Sequence, residues 1–247
     1  MFIMATVSGQ SADQQARTDS PLAATAEPSG APPPATALDW GNSAPLALFA
    51  FAVTTFMLSM VNADAIAKGV EPVVFAVALM FGGLTQLIAG IIQLRTGNTF
   101  AGVLFSGFGA FWLSLFAIAQ WFIQDVPPTQ IGHAFGLFLY GFGFFIVIMF
   151  LTSLRTNVVV VVALGILIGT IFCLAAGNYG ASVKEIAGHG NTLIHWGGYT
   201  GLAAAACAFY LALAELCEFS YHRAVVPVWP LSGHRWGRHK EPAAAGH

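Results

Sequence analysis

The chain has 247 residues, of which 57% are hydrophobic and 8% charged, with a mean hydropathy of +0.73 and a net charge of −2. A soluble domain carries about a quarter charged residues, so a water-coated globule of this size is excluded and lipid becomes the expected solvent. With no basic stripe to meet phosphates, nucleic acid is excluded as a partner.

Residues 1–39 are rich in Ala, Pro, Ser and Thr. They hold too little apolar surface to order themselves, so a disordered tail is predicted. The opening "MFIMATV" has neither a basic start nor a long apolar run, and a cleaved signal peptide is not expected. From Trp40 onward the sequence is punctuated by charges. Uncharged windows run 40–63, 72–94, 96–124, 126–154, 156–183 and 186–214. Each can hold a helix of about 20 residues, the length that crosses a hydrocarbon core.

Helices are predicted near 44–61, 72–94, 99–122, 131–153, 157–176 and 193–214. Pro72 suits the first turn of the second helix, Asn98-Thr99 can cap the third, and Asn157 the fifth. Trp40, Trp121, Trp196 and Trp229 lie near predicted interfaces. The fold class is therefore an all-α integral membrane protein with six transmembrane helices. An even number of spans puts both termini on one side. The bias of Arg17, Arg95, Arg155, Arg223, Arg235, Arg238 and Lys240 against Lys68 and Lys184 makes that side cytoplasmic. Three regions follow: a 1–39 tail, a 40–218 transmembrane domain and a 219–247 basic cytoplasmic tail.

Inside the third helix, Gly102, Ser106 and Gly109 fall within about 60° of one another at 100° per residue. Phe105, Phe108 and Trp112 form a second stripe roughly 100° away. The small face allows close approach by a neighbouring helix, the main device for helix association in lipid. The aromatic face delivers bulk into the space beside that contact. Similar small stripes occur at Gly82, Gln86 and Gly90, at Gly132, Gly136, Tyr140 and Gly143, and at Gly197, Gly201, Ala205 and Ala208.

Polar groups within spans are functional candidates because lipid does not solvate them. Thr54, Thr55, Ser59, Gln86, Gln93 and Thr170 are among them, and the primary amides of Gln86 and Gln93 have the most hydrogen bonds to satisfy. No Asp, Glu, Lys or Arg lies mid-span; Glu215 and Glu218 come closest, at the end of the sixth helix. Cys173, Cys207 and Cys217 show no metal-ligand spacing and read as small hydrophobes. No metal site, cofactor or catalytic constellation is expected, and the chain does not read as an enzyme. The pattern suits passage of a small solute that is neutral or is neutralised on the way.

Four stretches carry a resemblance. They are "NSAPLALFAFAVTTF" (42–56), "GGLTQLIAGIIQLRTGNTFAGVLFSGFGAFWLS" (82–114), "LAAGN" (174–178) and "HWGGYTGL" (195–202) followed by "FYLALAE". In this order they resemble the SatP/YaaH-type acetate uptake transporters, the acetate–succinate transporter family. The resemblance implies a transporter or channel for acetate and related short monocarboxylates, in some members succinate, located in the cell membrane as a homo-oligomer, a hexamer. It implies a hydrophobic constriction that maps onto Phe51, Phe108 and Leu167. Polar stations for the carboxylate would then be Asn42, the Leu46 region, Thr54, Thr55 and Gln86. Transport would be linked to protons, because a bare carboxylate crosses an apolar ring only at great cost. Departures from the family pattern are Ser43 for a Pro, Ala47 for a Gly, Gln93 for a frequent Glu, and Phe108 for a Tyr. Two readings remain beside this one: a neutral-solute channel for urea, amides or ammonia, and a non-transporting scaffold acting through its basic tail.

Overall fold

The computed structural model describes residues 40–181 and 187–231. The expected 1–39 tail, the charges Lys184 and Glu185, and the basic residues beyond 231 lie outside the described residues. Among the described residues six helices are long and apolar enough to cross a membrane, as the charge-free windows require. We number them α1 (Ala44–Asn62), α2 (Lys68–Arg95), α3 (Thr99–Asp125), α4 (Pro128–Ser153), α5 (Val158–Ala181) and α6 (Ala187–Tyr221).

Their ends follow local chemistry. Asn98 Oδ1 accepts from the Ala101 N–H at 3.2 Å and so starts α3. Asn157 Oδ1 accepts from the Val160 N–H at 2.9 Å and starts α5. The turn between α2 and α3 is tight because Gly97 adopts φ +83°, open to a residue without Cβ. Pro72 sits in the first turn after Glu71, where its missing N–H costs nothing.

The spans run longer than the sequence predicts. α5 continues to Ala181 rather than ending near 176, and α6 covers Ala187–Tyr221 rather than 193–214. Two spans are also not uniform. α2 widens into a π-helical segment at Ala78–Thr85, where the Thr85 hydroxyl donates to the Met80 carbonyl at 2.9 Å. α3 widens likewise at Ile118–Phe122 before a short 3₁₀ turn. Such segments add a residue to one turn and rotate everything after it.

Going round the bundle, α3 packs on α2, α2 on α1, α1 on α6, α6 on α5 and α5 on α4. The α2–α3 contact is close. A Cβ on Gly109 would lie 2.6 Å from the Leu87 backbone nitrogen, and one on Gly90 would strike Ser106. The small face of α3 therefore meets α2, and Phe105, Phe108 and Trp112 are buried toward the bundle interior. Large apolar side chains left outside, such as Leu137, Phe144, Ile148 and Leu151 along α4, present a hydrocarbon surface. The sequence-based boundary at 218/219 falls inside α6. Beyond α6 the chain turns back: the Val158 N–H donates to the Trp229 carbonyl at 3.0 Å and the Leu231 N–H to the Thr156 carbonyl at 2.9 Å. Tyr210 Oη donates to the Pro227 carbonyl at 2.7 Å and pins this strap to α6.

Candidate functional site: an apolar ring between two cavities

Three helices bring one apolar side chain each to the middle of the bundle: Phe51 from α1, Phe108 from α3 and Leu167 from α5. The Phe51 and Phe108 rings lie 5.0 Å apart between centroids, tilted by 40°. Phe145 of α4 meets Phe108 edge-on at 6.0 Å and backs it from behind. This geometry falls in the range of favourable aromatic pairs.

A cavity lies on each side of this layer. The first reaches from Phe51, Phe108 and Leu167 past Gln86 and Leu164 to Glu215. The second runs from the same three residues past Thr55, Ser59 and Thr170 to Asn62. Phe51, Phe108 and Leu167 are the residues that line both. They form the shared wall, made wholly of carbon.

Few polar atoms face these spaces, and several lack partners. Gln86 is fully buried, lines the first cavity, and has neither amide atom hydrogen-bonded. Beside the second cavity the Thr55 hydroxyl and the Trp112 indole N–H are likewise buried without partners. Unmade hydrogen bonds in a buried site cost about 1–3 kcal/mol each, so such groups mark a place where something else supplies the bond. A primary amide offers a donor and an acceptor side by side. It can pair twice with a neutral carboxylic acid, O–H to carbonyl and N–H to C=O.

At the end of the first cavity the start of α1 is held by side-chain hydrogen bonds. Ser43 Oγ donates to the Ala89 carbonyl of α2 at 2.8 Å, and Asn42 Oδ1 accepts from the Ala44 N–H at 3.0 Å. The Gln93 amide lies 2.9 Å from Asn42 Oδ1 and 3.0 Å from Ser43 Oγ. Turned the other way, its oxygen would accept from the Ser43 and Ala44 N–H groups. Either orientation ties α2 to the first turn of α1. Asn42 also donates from Nδ2 to Glu215 Oε2 at 3.0 Å. Beyond Glu215 a third, wider space opens between Asn157, Glu218 and the strap residues Ala224 to Pro230.

The residues singled out in the sequence thus separate into three groups. Phe51, Phe108 and Leu167 come together, with Gln86 beside them on one side and Thr55 on the other. Asn42 stands at the far end of the first cavity through its bond to Glu215. Leu46 and Thr54 do not join them. Leu46 is 46% exposed and lines neither cavity. Thr54 is completely buried against Gly82, and its hydroxyl is consumed by the Ala50 carbonyl one turn back at 2.8 Å. Glu215 and Asn157 are what sequence reasoning missed. Glu215 read as a helix-end charge and Asn157 as a cap, and only the packing of α6 against α1 and α5 turns them toward the cavity. Among the described residues no group of three or more His, Cys, Asp or Glu side chains could hold a metal ion.

With this geometry in hand, comparisons with known proteins are informative. Residues 23–233 match the model of the GPR1/FUN34/yaaH family. The succinate-acetate/proton symporter SatP of Escherichia coli K12 is 33% identical over 190 residues, covering 76% of this chain and 94% of that protein. Acetate permease A of Emericella nidulans is 36% identical over 200 residues, covering 76% of this chain; the match spans 66% of that longer relative. A solved structure of the bacterial acetate channel SatP superposes with a TM-score of 0.61 at 31% identity, over 76% of this chain and 99% of that one. The chain is a six-helix member of the GPR1/FUN34/yaaH family.

Proposed function

We propose that this protein carries acetate and related short monocarboxylates, succinate among them, across the cell membrane. Phe51, Phe108 and Leu167 act as its constriction. The observation that carries this reading is the pair of cavities meeting at those three side chains. An unpartnered amide stands ready on one side and an unpartnered hydroxyl on the other. The names of the relatives, acetate permease and succinate-acetate/proton symporter, supply the substrate class. The chain works as a transporter and not as an enzyme.

In this reading an incoming solute enters the second cavity beside Thr55 and Trp112. It slips between the rings of Phe51 and Phe108 against Leu167 as the neutral acid and meets the Gln86 amide in the first cavity beyond. The ring selects against charge, since an ionised carboxylate surrounded by hydrocarbon lacks every hydrogen bond it has in water. Transport is proton-linked for that reason. The end of the bundle with Asn42, Arg95, Arg155 and Glu215 faces the cytoplasm, following the distribution of Lys and Arg. The protomers assemble as a hexamer in which the apolar outer faces meet lipid and one another.

Uptake of labelled acetate by proteoliposomes tests the reading, with propionate, lactate, succinate and urea as competitors. Acetate uptake above that of protein-free vesicles, growing as external pH falls and inhibited by propionate, is the expected outcome. Urea flux that does not change with pH, with no acetate uptake, would replace it with the neutral-solute channel.

A further inference from the structure

The mechanism above needs the carboxylate to lose its charge before the ring, and at neutral pH only about one carboxylate in several hundred carries a proton in bulk water. One carboxyl group of this chain is placed to supply that proton. Glu215 lines the cavity that ends at Phe51, Phe108 and Leu167, and it also lines the open space bounded by the 224–230 strap. It therefore faces the solute on one side and solvent on the other. Its Oε2 accepts from Asn42 Nδ2 at 3.0 Å, which fixes the carboxyl at the cavity end and leaves its other oxygen for a ligand.

We propose that Glu215 is the proton-exchange residue of this pathway. In its protonated form it gives the proton to an acetate entering from the cytoplasmic end: the O–H bond of Glu215 breaks, an O–H bond forms on acetate, and neutral acetic acid moves on to Gln86 and the ring. The Glu215 carboxylate left behind takes a proton from hydronium in the solvent-filled space on its other side. Charge and atoms balance at each transfer, and the net result is one proton moved with each acetate. Reversal of the same steps receives acid arriving from the second cavity.

The surroundings fit this role. Of the residues lining the two spaces around Glu215, Glu218 is the other titratable one, one turn further along α6. The neighbours from α1 and α5, Asn42 and Asn157, are uncharged, and so are the strap residues from Ala224 to Pro230. Arg155 precedes Thr156 in the turn before α5 and Arg223 precedes Ala224 of the strap, and these two cations flank that space in sequence.

This inference rests on the transport reading, and the experiment separates the two. Initial rates of acetate uptake into inside-out vesicles, in which the Glu215 end faces the bath, corrected for protein-free vesicles, are measured from pH 5 to pH 8 for wild type, E215Q and E215D. If wild type shows no uptake, the transport reading fails before Glu215 is tested. With wild type active, the wild-type to E215Q ratio should be near one at pH 5, where bulk acid needs no donor, and rise about tenfold by pH 7. E215D keeps a carboxyl on the same backbone position and should stay within about threefold of wild type at pH 7. A merely structural defect would lower E215Q equally at every pH. A constant ratio, a ratio below one at pH 7, or an E215D profile like that of E215Q overturns the proposal. Should E215Q elute as an aggregate, E215A replaces it in the same comparison, with the same two outcomes.

Discussion

Replacing Gln86 with methionine separates transport from stability, because the two should move in opposite directions. The Gln86 side chain is fully buried and neither its nitrogen nor its oxygen has a partner. Each unsatisfied polar atom costs about 1–3 kcal/mol relative to an apolar group of the same shape. Methionine matches glutamine in length, packs flexibly and has nothing to desolvate. Allowing for water entering the cavity to meet part of the amide's need, Q86M should stabilise the fold by about 2 kcal/mol. For a chain of this size that is a rise of about 4–8 °C in midpoint temperature, read by thermal denaturation of the detergent-solubilised protein. Acetate uptake by the same preparation should fall at least tenfold, because the solute loses both hydrogen bonds the amide offers. A lower midpoint together with full uptake would refute the reasoning, since it would mean the amide is a satisfied structural group.

The remaining predictions address other parts of the molecule. F51A and F108A each remove half of the tilted pair, and loss of the buried Phe108 ring costs about 3 kcal/mol by the usual penalty for deleting a buried aromatic. Both should raise leakage of larger solutes such as lactate in proteoliposomes; unchanged acetate and lactate flux in the two variants would remove the constriction from those positions. G109L places a branched side chain where even a Cβ would lie 2.6 Å from the Leu87 nitrogen, and size-exclusion chromatography should show loss of the monodisperse peak. Y210F deletes the bond to the Pro227 carbonyl, about 1 kcal/mol; proteolysis within 222–231 should quicken with little change in uptake. L46A should leave acetate uptake within twofold of wild type, since Leu46 lines neither cavity, and a severalfold loss would restore it to the pathway.

Much of the bundle is written in the spacing of charges and small residues. Six uncharged windows dictate six spans, and Asn98 and Asn157 mark helix starts because each side chain can replace one missing backbone acceptor. The face of α3 is also legible: Gly102, Ser106 and Gly109 predict the side that meets α2, which sends Phe108 inward. What periodicity cannot carry is anything that breaks the period. The π-helical segment at Ala78–Thr85 shifts the angular position of Gln86 relative to the residues before it, so a wheel drawn through the whole of α2 misassigns its faces. Nor does a single sequence join residues far apart in the chain. Ser43 and Gln93, both departures from the family pattern, touch at 3.0 Å although 50 positions separate them. Seen in space they are one change: a neutral serine–glutamine pair at the start of α1, next to the Asn42 that binds Glu215.

That pairing bears on how the pathway is charged. A carboxylate at position 93 would lie against Asn42, whose amide already serves Glu215. Two anions competing for one amide a few ångströms apart would repel each other and any entering carboxylate. With glutamine at 93 the start of α1 is held by neutral hydrogen bonds, and Glu215 is left as the single acid bonded to that cluster. The strap then matters for a physical reason. By closing one side of the space next to Glu215 with Val226, Pro227 and Val228, it limits how much water screens the carboxyl, while the remaining opening still admits the protons it must exchange. A route through this protein consequently has two requirements that different residues meet: Phe51, Phe108 and Leu167 refuse a charged solute, and the Asn42–Glu215 pair stands where a charge can be taken off before the refusal.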